Sequence, residues 1–373
     1  MRKQIKEELE MDFDMVFLLT TLTLLVIGTI MIYSSSYFLS KEMSGNGMAL
    51  TMKHIVHVIL GTLIMLGVMS IDYRRLSSKF FVFAGLLCGI ASLVLCFVPG
   101  IGVTGGHANR WVRIMSFHFQ SSELVKIMLV VYLAYFFSKK NMDINNFATG
   151  ILPVLIVVCS TALLIFIEPD FGTAATIGIW SVMILFAAGM RWKHLLLLIL
   201  AGIPTSALMM IMEPYRLARL SAFLDPWKDM HKTGYQIIQS MVAYSNGGLT
   251  GSGLGEGTQK LFFLPAPHTD FILSVTGEEL GFIGISLIIG LFGIWIWRGL
   301  SIALATNDSF GYYLVVSSVC LVGLQAVINM GVSMSMLPTT GIALPFFSYG
   351  GSTLISTMII SGFILSVSRR SRV

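Results

Sequence analysis

Residues 147–189 read FATGILPVLIVVCSTALLIFIEPDFGTAATIGIWSVMILFAAG, which is two apolar runs interrupted only by Glu168-Pro169-Asp170. A helix needs roughly 20 predominantly apolar residues to cross the hydrocarbon core of a bilayer. Each run is long enough to cross once, and the three polar residues between them predict a tight hairpin at the membrane surface. The stretch therefore indicates an integral membrane protein whose neighbouring helices are antiparallel.

The composition of the whole chain supports the same conclusion. Of its 373 residues, 55% are hydrophobic and 12% are charged, and the mean hydropathy is +0.83. Soluble domains carry about 25% charged residues, so too little polar surface remains here to cover a globule in water. A net charge of +5 would suggest nucleic-acid binding in a soluble protein. In a membrane protein it reflects loop lysines and arginines that set orientation, and no nucleic-acid partner is expected.

Ten segments of the chain are predicted to span the membrane. They cover residues 13–37, 54–71, 80–98, 121–138, 147–167, 171–189, 194–212, 271–297, 311–333 and 353–368. The expected fold is all-α and polytopic, with about ten transmembrane helices in a single domain over residues 1–373. No small-residue cleavage site follows the first run, so it is predicted to remain as a span rather than leave as a signal peptide.

The distribution of basic residues predicts that both termini lie in the cytoplasm. With the N-terminus inside, the cytoplasmic segments hold fourteen of the 24 Lys and Arg: Arg2, Lys3, Lys6, Arg74, Arg75, Lys79, Lys139, Lys140, Arg191, Lys193, Arg298, Arg369, Arg370 and Arg372. Cytoplasmic loops carry such an excess, which places the tails 1–12 and 369–373 inside. The segments 99–120, 213–270 and 334–352, rich in Gly, Pro and polar groups, are then extracytoplasmic. Because only this face is elaborated, we expect the function there.

Two charged residues open the predicted fourth span. Glu123 and Lys126 are three residues apart, which places them on one helix face. Charges at membrane depth cost roughly 2.5–3.5 kcal/mol each on insertion scales, so they are functional candidates. Two interpretations remain open. The residues form a self-neutralising pair that only tolerates burial, or they form a polar wall of a cavity in which Glu123 orients Lys126 towards an anion.

Carboxylates also stand where predicted spans begin. Asp270, in His268-Thr269-Asp270-Phe271, lies where water gives way to hydrocarbon. Partial desolvation there raises a carboxylate pKa towards values useful for a general base, although Asp is also a common helix N-cap. Asp170 has the same two interpretations, cap or catalytic group. Glu278 and Glu279 lie two turns deeper, and either one of them faces the same cavity or the pair holds a structural helix.

The predicted outer loop 213–270 contains an amphipathic segment at Tyr235–Tyr244. Its apolar and polar residues separate onto two sides, which is typical of an interfacial or re-entrant helix, and Asn246-Gly247 predicts its C-cap. The glycines that follow lack the G-x-G-x-x-G spacing of a dinucleotide site. They either form turns or expose backbone N–H groups to a phosphate.

Neither cysteines nor histidines predict a metal site. The four cysteines fall inside apolar runs, and their spacing suits neither a disulfide framework nor zinc, so they are interpreted as small core residues. Three histidines also lack metal-ligand spacing: His54, His57 and His107. The sequence therefore predicts no metal ligands.

A series of motifs resembles the SEDS family of bacterial membrane proteins, which includes FtsW, RodA and SpoVE. The resemblance covers nearly the whole chain. It is carried by NRW at 109–111, FQSSELVK at 119–126, EPDFGTA at 168–174, EPYRLARLSAFLDPW at 213–227, GYQIIQS at 234–240, GSGLGEGTQK at 251–260, LPAPHTDF at 264–271, GEELGFIG at 277–284 and MLPTTGIALPFFSYGGS at 336–352. The EPYR and MLPTTG stretches are more similar to the division and sporulation branch, FtsW and SpoVE, than to the RodA branch.

A few positions depart from the family pattern. Ser121 replaces a common Pro, Glu168 a common Gln, and Ala266 a common Glu beside the HTDF motif. Ala343 stands where Pro is frequent in RodA-type relatives. None of these changes removes a charged residue with an assigned main role. They therefore affect the assignment to a branch of the family and the rate of the reaction, but not the type of reaction.

The resemblance implies a peptidoglycan glycosyltransferase at the outer face of the bacterial cytoplasmic membrane, at the septum during division or sporulation. Its substrate would be lipid II, an undecaprenyl-pyrophosphate-linked disaccharide peptide, surrounded by membrane lipids. The implied partners are a class B penicillin-binding protein and other divisome proteins. In this family the aspartate of the HTDF motif is required for polymerisation, and it matches Asp270. The Glu and Lys of the fourth-span motif match Glu123 and Lys126.

These assignments predict an inverting glycosyl transfer. Asp270 takes the proton of the 4-hydroxyl of incoming lipid II, and that oxygen attacks the growing glycan and expels undecaprenyl pyrophosphate. Positive charge must meet the leaving pyrophosphate. The predicted substrate-binding residues are Glu123, Lys126, Arg110, Lys260, Arg216, Gln239 and Ser240. The sequence requires no cofactor, although a divalent cation such as magnesium or manganese beside the pyrophosphate fits the chemistry.

Two other functions fit part of the pattern. A flippase that carries lipid II across the bilayer would also need buried charges and polar outer loops, but the cytoplasmic segments offer no polar vestibule for it. A non-catalytic scaffold that recruits the transpeptidase would not need Asp270 at all.

Overall fold

The computed structural model describes residues 13–105, 108–114, 117–139 and 143–371. Four parts of the sequence predictions lie outside these described residues: the tail 1–12, His107, Lys140 and Arg372.

The chain is mostly helical, and a helix covers each of the ten predicted spans. These helices are α1 Met15–Ser44, α2 Ala49–Ser70, α3 Lys79–Leu95, α4 Ser121–Phe137, α5 Leu152–Ile167, α6 Phe171–Ala187, α7 Trp192–Ile211, α10 Ile272–Leu304, α11 Ser309–Ser333 and α12 Gly351–Ser371. A π-helical turn at Phe147–Ile151 leads into α5. Seven of the helices are long and apolar enough to cross a membrane, while α3, α4 and α6 have 17 residues each. The chain is thus a polytopic membrane protein.

Shorter helices fill the connections. The outer loop contains α8 Pro214–Leu224, a 3₁₀ turn at Pro226–Asp229 and α9 Tyr235–Gly247. Another 3₁₀ turn, Tyr73–Ser77, joins α2 to α3. The amphipathic segment predicted at 235–244 is therefore helical, and its helix continues through Gly247. Its apolar side packs on α10, with Ile237 and Ile238 buried.

A small sheet departs from the all-α expectation. It consists of β1 Gly102–Gly105, β2 Ala108–Ile114 and β3 Phe117–Gln120, paired antiparallel in the order β1-β2-β3. The sequence prediction missed these strands because the segment is rich in glycine. Between its glycines, however, are β-branched and aromatic residues, which favour strands. Because β3 runs directly into α4, the sheet lies against that helix.

Helix α4 is the centre of the bundle and α7 is at its edge. Fourteen of the 17 residues of α4 are buried, and it packs against α3, α11 and α12. None of the residues of α7 is buried. A helix that is apolar all round and has no buried side is solvated by lipid. The Glu123–Lys126 motif therefore stands on the innermost helix.

The two ends of the described chain meet at one side of the bundle. Asp14 caps α1 and receives two hydrogen bonds from Arg298 at the far end of α10, at 2.6 and 3.1 Å. The Asp14 N–H donates to Ser368 Oγ near the end of α12 at 2.9 Å. Asp270 lies before the first residue of α10, so the Asp14–Arg298 pair and Asp270 mark opposite ends of one helix.

Helix α10 is broken at Gly281, where φ is +66° and ψ is −166°. The loop after α9 supplies partners for the N–H groups that the break frees. Phe282 N–H donates to the Gly248 carbonyl at 2.9 Å, and Ile283 N–H donates to the Leu249 carbonyl at 3.1 Å. Irregular backbone at membrane depth is tolerated where protein satisfies it in this way. The break therefore fastens the outer loop to α10.

Replacing Gly281 by Ala should destabilise the protein. Its Cβ would lie 2.3 Å from the Gly251 nitrogen, and the positive φ alone costs on the order of 1–3 kcal/mol. Gly290→Ala in the same helix is the matched control, because no atom lies within 4 Å of its added Cβ. We expect a lower unfolding midpoint in detergent for Gly281→Ala, and an unchanged or slightly higher one for Gly290→Ala. Equal midpoints for the two variants would contradict this account of the break.

Candidate active site

A cavity of about 740 Å³ lies among the helix ends on the side of the bundle that carries Asp270. Four of the predicted site residues line it: Arg110, Glu123, Lys126 and Asp270. They come from β2, α4 and the turn before α10, so the cavity brings together residues that are up to 160 positions apart in the sequence. The other predicted residues, Lys260, Arg216, Gln239 and Ser240, do not line it.

Asp270 does not cap α10. Phe271 occupies the N-cap position, and no side-chain cap hydrogen bond is made there. Within the described ranges no group hydrogen-bonds to the Asp270 carboxylate, whose Oδ2 faces Gly341 (a Cβ there would lie 3.7 Å away). The N-cap interpretation of this residue is therefore wrong, and its carboxylate is left to face the cavity.

Three consecutive backbone carbonyls hold the turn that carries Asp270. The His268 carbonyl accepts from Tyr349 N–H at 2.8 Å, and the Thr269 carbonyl accepts from Ser348 Oγ at 2.7 Å. The Asp270 carbonyl accepts from Asn329 Nδ2 at 2.9 Å. We call this set of bonds the carbonyl clamp. It attaches the turn to α11 and to the loop between α11 and α12.

Asn329 does more than complete the clamp. Its Nδ2 also donates to the Ile342 carbonyl at 2.8 Å, so a single amide joins the Asp270 turn to the loop between α11 and α12. Asn329 is only 1% exposed. A buried donor with two acceptors at fixed positions has little freedom, so the backbone of Asp270 is fixed while its carboxylate stays unbonded.

Burial raises the pKa of Asp270 above its ordinary value. The positive charges of Arg219 and Arg110 oppose that rise, and the negative charge of Asp170 adds to it. A carboxylate with a raised pKa is a stronger base than a solvated one. The site can therefore accept a proton from a substrate hydroxyl.

Arg110 is positioned by the hairpin between α5 and α6. Its Nη2 donates to the Pro169 carbonyl at 2.6 Å, and its Nε lies 3.6 Å from Asp170 Oδ2. Asp170 also caps α6, since its carboxylate accepts from Thr173 N–H at 3.1 Å and from Thr173 Oγ1 at 3.0 Å. Asp170 thus has the structural role of a cap, and it also holds Arg110 at the cavity.

Glu123 and Lys126 form the self-neutralising pair of the first interpretation, at the cavity wall of the second. Lys126 Nζ lies 2.8 Å from Glu123 Oε1, and both residues are buried. Thr353 Oγ1 donates to Glu123 at 3.0 Å, and Ser356 Oγ donates to it as well. The pair neutralises itself and attaches α4 to α12, yet it also forms part of the cavity wall.

Lys260 is buried in a separate network. Its Nζ contacts Glu279 Oε1 at 2.7 Å, Ser34 Oγ at 2.9 Å and the Gly255 carbonyl at 2.6 Å. Glu278 accepts from the backbone of Thr258 and Gln259 nearby. The two glutamates therefore hold the glycine-containing loop on α10, and Lys260 is committed to Glu279 rather than to an anion in the cavity.

The remaining predicted residues also have structural neighbours. Arg216 lies over the Phe166 ring, 4.3 Å from its centroid, and donates to the Met209 carbonyl. Ser240 is buried and lies 2.6 Å from Ser274 Oγ. Gln239 is half-buried on α9, away from the cavity. The structure does not bring these three residues to Asp270.

Sequence reasoning missed several residues of the site. Arg219, on α8, acts electrostatically on Asp270 and donates to the Thr339 carbonyl at 3.0 Å. Lys53, His57, His118 and Gln325 line the cavity. The one sequence signal for them was the spacing of Lys53 and His57, four residues apart at the start of an otherwise apolar helix, which places both on one face.

In the part of the chain that the structure describes, no group of three or more His, Cys, Asp or Glu side chains could hold a metal ion.

Comparisons with known proteins agree on one family. The family model FTSW_RODA_SPOVE, described as "Cell cycle protein", matches residues 14–373. A Geobacter metallireducens protein named "Probable peptidoglycan glycosyltransferase FtsW" is 41% identical over 96% of this chain and 96% of its own length. The stage V sporulation protein E of Bacillus subtilis is 38% identical, covering 96% and 98%.

Solved structures share the fold. One, described as "Structural coordination of polymerization and crosslinking by a peptidoglycan synthase complex", has a TM-score of 0.79 at 26% identity, covering 96% of this chain and 98% of that one. The rod shape determining protein RodA of Thermus thermophilus has a TM-score of 0.69 at 25% identity, covering 97% and 98%.

Glu168 is a buried carboxyl at the hairpin beside the cavity. Burial raises its pKa from 4.5 to about 8, and Asp170 contributes to the rise. Its nearest described partner is Ser121 Oγ, at 3.4 Å from both carboxyl oxygens. At neutral pH the side chain is therefore largely protonated and carries no charge, as a Gln would.

Glu168→Gln should therefore alter stability only at higher pH. A carboxyl whose pKa is raised on folding stabilises the fold below pH 4.5, and that contribution is lost as pH rises through about 8. We expect unfolding midpoints in detergent to coincide near pH 4.5, Glu168→Gln to become increasingly the more stable as the pH rises from there to about 8, and the difference to level off above that. A difference that does not grow with pH would contradict the protonated state.

Proposed function

The chain belongs to the FtsW/RodA/SpoVE family, and from that premise we propose that it is a peptidoglycan glycosyltransferase that polymerises lipid II into β-1,4-linked glycan strands. The observation that carries the proposal is the position of Asp270. Its carboxylate has no hydrogen-bond partner within the described ranges, and it opens into a cavity with cationic side chains. Such a cavity suits a substrate that joins a sugar hydroxyl to a pyrophosphate.

Asp270 is the general base of the reaction. It accepts the proton of the 4-hydroxyl of incoming lipid II, and the freed oxygen pair forms a bond to the anomeric carbon of the growing glycan. The bond from that carbon to the pyrophosphate oxygen breaks, and undecaprenyl pyrophosphate leaves with the electron pair. Attack opposite the leaving group inverts the α-linked donor to a β-1,4 linkage.

The leaving pyrophosphate requires positive charge, since its negative charge increases as the bond breaks. Arg110 lines the cavity, and Arg110 and Arg219 both act electrostatically on Asp270, so we assign them to the leaving pyrophosphate. Arg219 takes the place that the sequence analysis gave to Arg216 and Lys260. Lys126 contributes less, because Glu123 neutralises it at 2.8 Å. These side chains of the protein supply the electrostatic stabilisation without requiring a metal ligand set.

The proposed arrangement in the membrane has ten spans with both termini in the cytoplasm. The meeting of α1 and α12 at Asp14 and Ser368 supports an even number of crossings. The excess of basic residues assigns that side to the cytoplasm. Asp270, at the opposite end of α10, then faces the outside, where the sugars of lipid II are polymerised at the septum.

The cavity architecture favours polymerisation over transport of lipid II. A second cavity, of about 700 Å³, lies at the Asp14 side and is lined mostly by polar and charged residues such as Asp72, Arg74 and Asp308, so the expectation that the cytoplasmic segments offer no polar vestibule is wrong. It shares no lining residue with the cavity at Asp270. A flippase needs a path between the two faces, whereas a polymerase needs a site on one face only.

A class B penicillin-binding protein is the proposed partner, with other divisome proteins around it. The solved peptidoglycan synthase complex, which coordinates polymerization and crosslinking, contains a chain that shares this fold with a TM-score of 0.79. A polymerase that makes uncrosslinked strands needs a transpeptidase close by, which gives the partnership a chemical reason.

Asp270→Asn should abolish polymerisation while leaving the protein folded. The substitution removes the base but keeps the shape, and general base catalysis contributes on the order of 100- to 10,000-fold. The measurement is the length distribution of glycan made from lipid II by purified protein with its penicillin-binding partner. Glu256→Gln is the matched control, because it removes an exposed carboxylate of the same outer loop that does not line the cavity.

We expect wild type and Glu256→Gln to make glycan and Asp270→Asn to make none. Equal products from Asp270→Asn would remove Asp270 as the base. No product from a folded, assembled wild-type complex would instead favour the flippase or the scaffold.

A further inference from the structure

The cavity contains a second cationic region, on α2 and the start of α12. We define the α2 region of the cavity as Lys53 and His57 of α2 together with Gly351–Thr353 at the start of α12, all of which line the cavity. His57 packs directly on α12, since a Cβ at Gly351 would lie 2.6 Å from its Nε2. Lys53 is one helical turn from His57 on the same face.

Lys53 has no counter-charge. In the described part of the chain it makes no hydrogen bond or ion pair, whereas Lys126 pairs with Glu123 and Arg110 with Asp170. Helix α2 contains no acidic residue. A lysine in an apolar helix is costly unless it is paired or faces water. The unpaired charge of Lys53 at a cavity wall is therefore available to an anionic ligand.

Other donors of the α2 region point to the same ligand chemistry. His57 Nδ1 is buried without a partner among the described residues. The first-turn N–H groups of α12, at Ser352 and Thr353, have no acceptors within their helix. A lysine, an imidazole and backbone N–H groups together form a donor set that suits phosphate oxygens.

Polymerisation of lipid II involves two pyrophosphates, and they occupy different places. The donor's pyrophosphate is bonded to the carbon under attack, so it lies beside Asp270. The acceptor's pyrophosphate is at the other end of its disaccharide, because the attacking 4-hydroxyl is on the far sugar. A cavity that holds both substrates therefore needs cations at two places, and the lining of this cavity has them on two different elements, Arg110 on β2 and Lys53 on α2.

Resting on the proposed function, we propose that Lys53 and His57 bind the pyrophosphate of the acceptor lipid II, while Arg110 and Arg219 receive the pyrophosphate that leaves the donor. The assignment gives each of the two lipid substrates its own region of a single cavity.

The test separates the two substrates. A preformed lipid-linked glycan oligomer serves as donor at fixed concentration while lipid II is titrated as acceptor, and then the roles of fixed and varied substrate are exchanged. For Lys53→Gln we expect the KM for lipid II as acceptor to rise about 10-fold, the loss of one charge-assisted contact. The KM for the donor oligomer and the kcat at saturation should stay close to wild type.

Two variants serve as controls. Lys53→Arg keeps the charge and should keep the acceptor KM within a few-fold of wild type. Lys41→Gln removes a charge from the same outer side but does not line the cavity, so both KM values should be unchanged. Lys53 is exposed, so its substitution leaves the packed core intact.

An unchanged acceptor KM in Lys53→Gln, or a rise confined to the donor KM, would overturn the assignment while leaving the polymerase intact. A wild-type protein that makes no glycan in this assay would count against the proposed function itself, so the two failures are distinguishable.

Discussion

The carbonyl clamp on His268, Thr269 and Asp270 is the constraint on which the site depends. Asn329, Ser348 and the Tyr349 N–H each hold one of three successive carbonyls. The backbone of the turn is thereby satisfied without using the Asp270 side chain. Because no cap bond consumes the carboxylate, it keeps its full capacity to accept a proton, and burial raises its pKa. Rigid support with an unbonded reactive group is the arrangement that a positioned general base requires.

The clamp also explains why the outer loops are so closely attached to the helices. A reactive turn at the mouth of α10 would move with its loop if that loop were loose. The loop is fixed at its other end by Glu278 and Glu279, and by the backbone pairing across the break at Gly281. Buried charges in this protein therefore divide into two kinds. Lys260 paired with Glu279 holds the loop on α10, whereas the Glu123–Lys126 pair, Arg110 and the unbonded Asp270 carboxylate line the cavity.

The sequence predicted the helices well because membrane spans depend on one local property, the length of an apolar run. It also indicated Asp270, Glu123, Lys126 and Arg110, since charged residues at membrane boundaries are rare enough to stand out. It could not show that Lys260 is paired with Glu279 and Ser34, because such contacts join segments far apart in the chain. Arg219 looked no different from Arg216, and only the path of α8 separates their roles. The short sheet was concealed by the glycines around it.

The central claim is that protonation of Asp270, in the field of Arg219, Arg110 and Asp170, limits the rate at low pH. The most direct measurement is the pH dependence of glycan formation by wild type, Arg219→Gln and Arg219→Lys. The positive charge of Arg219 lowers the pKa of Asp270, so its removal should raise that pKa. The low-pH side of the pH–rate profile of Arg219→Gln should therefore move to higher pH. The low-pH side of the pH–rate profile of Arg219→Lys should stay near that of wild type. Superimposable acidic limbs in all three proteins would contradict the assignment of Asp270 as the base.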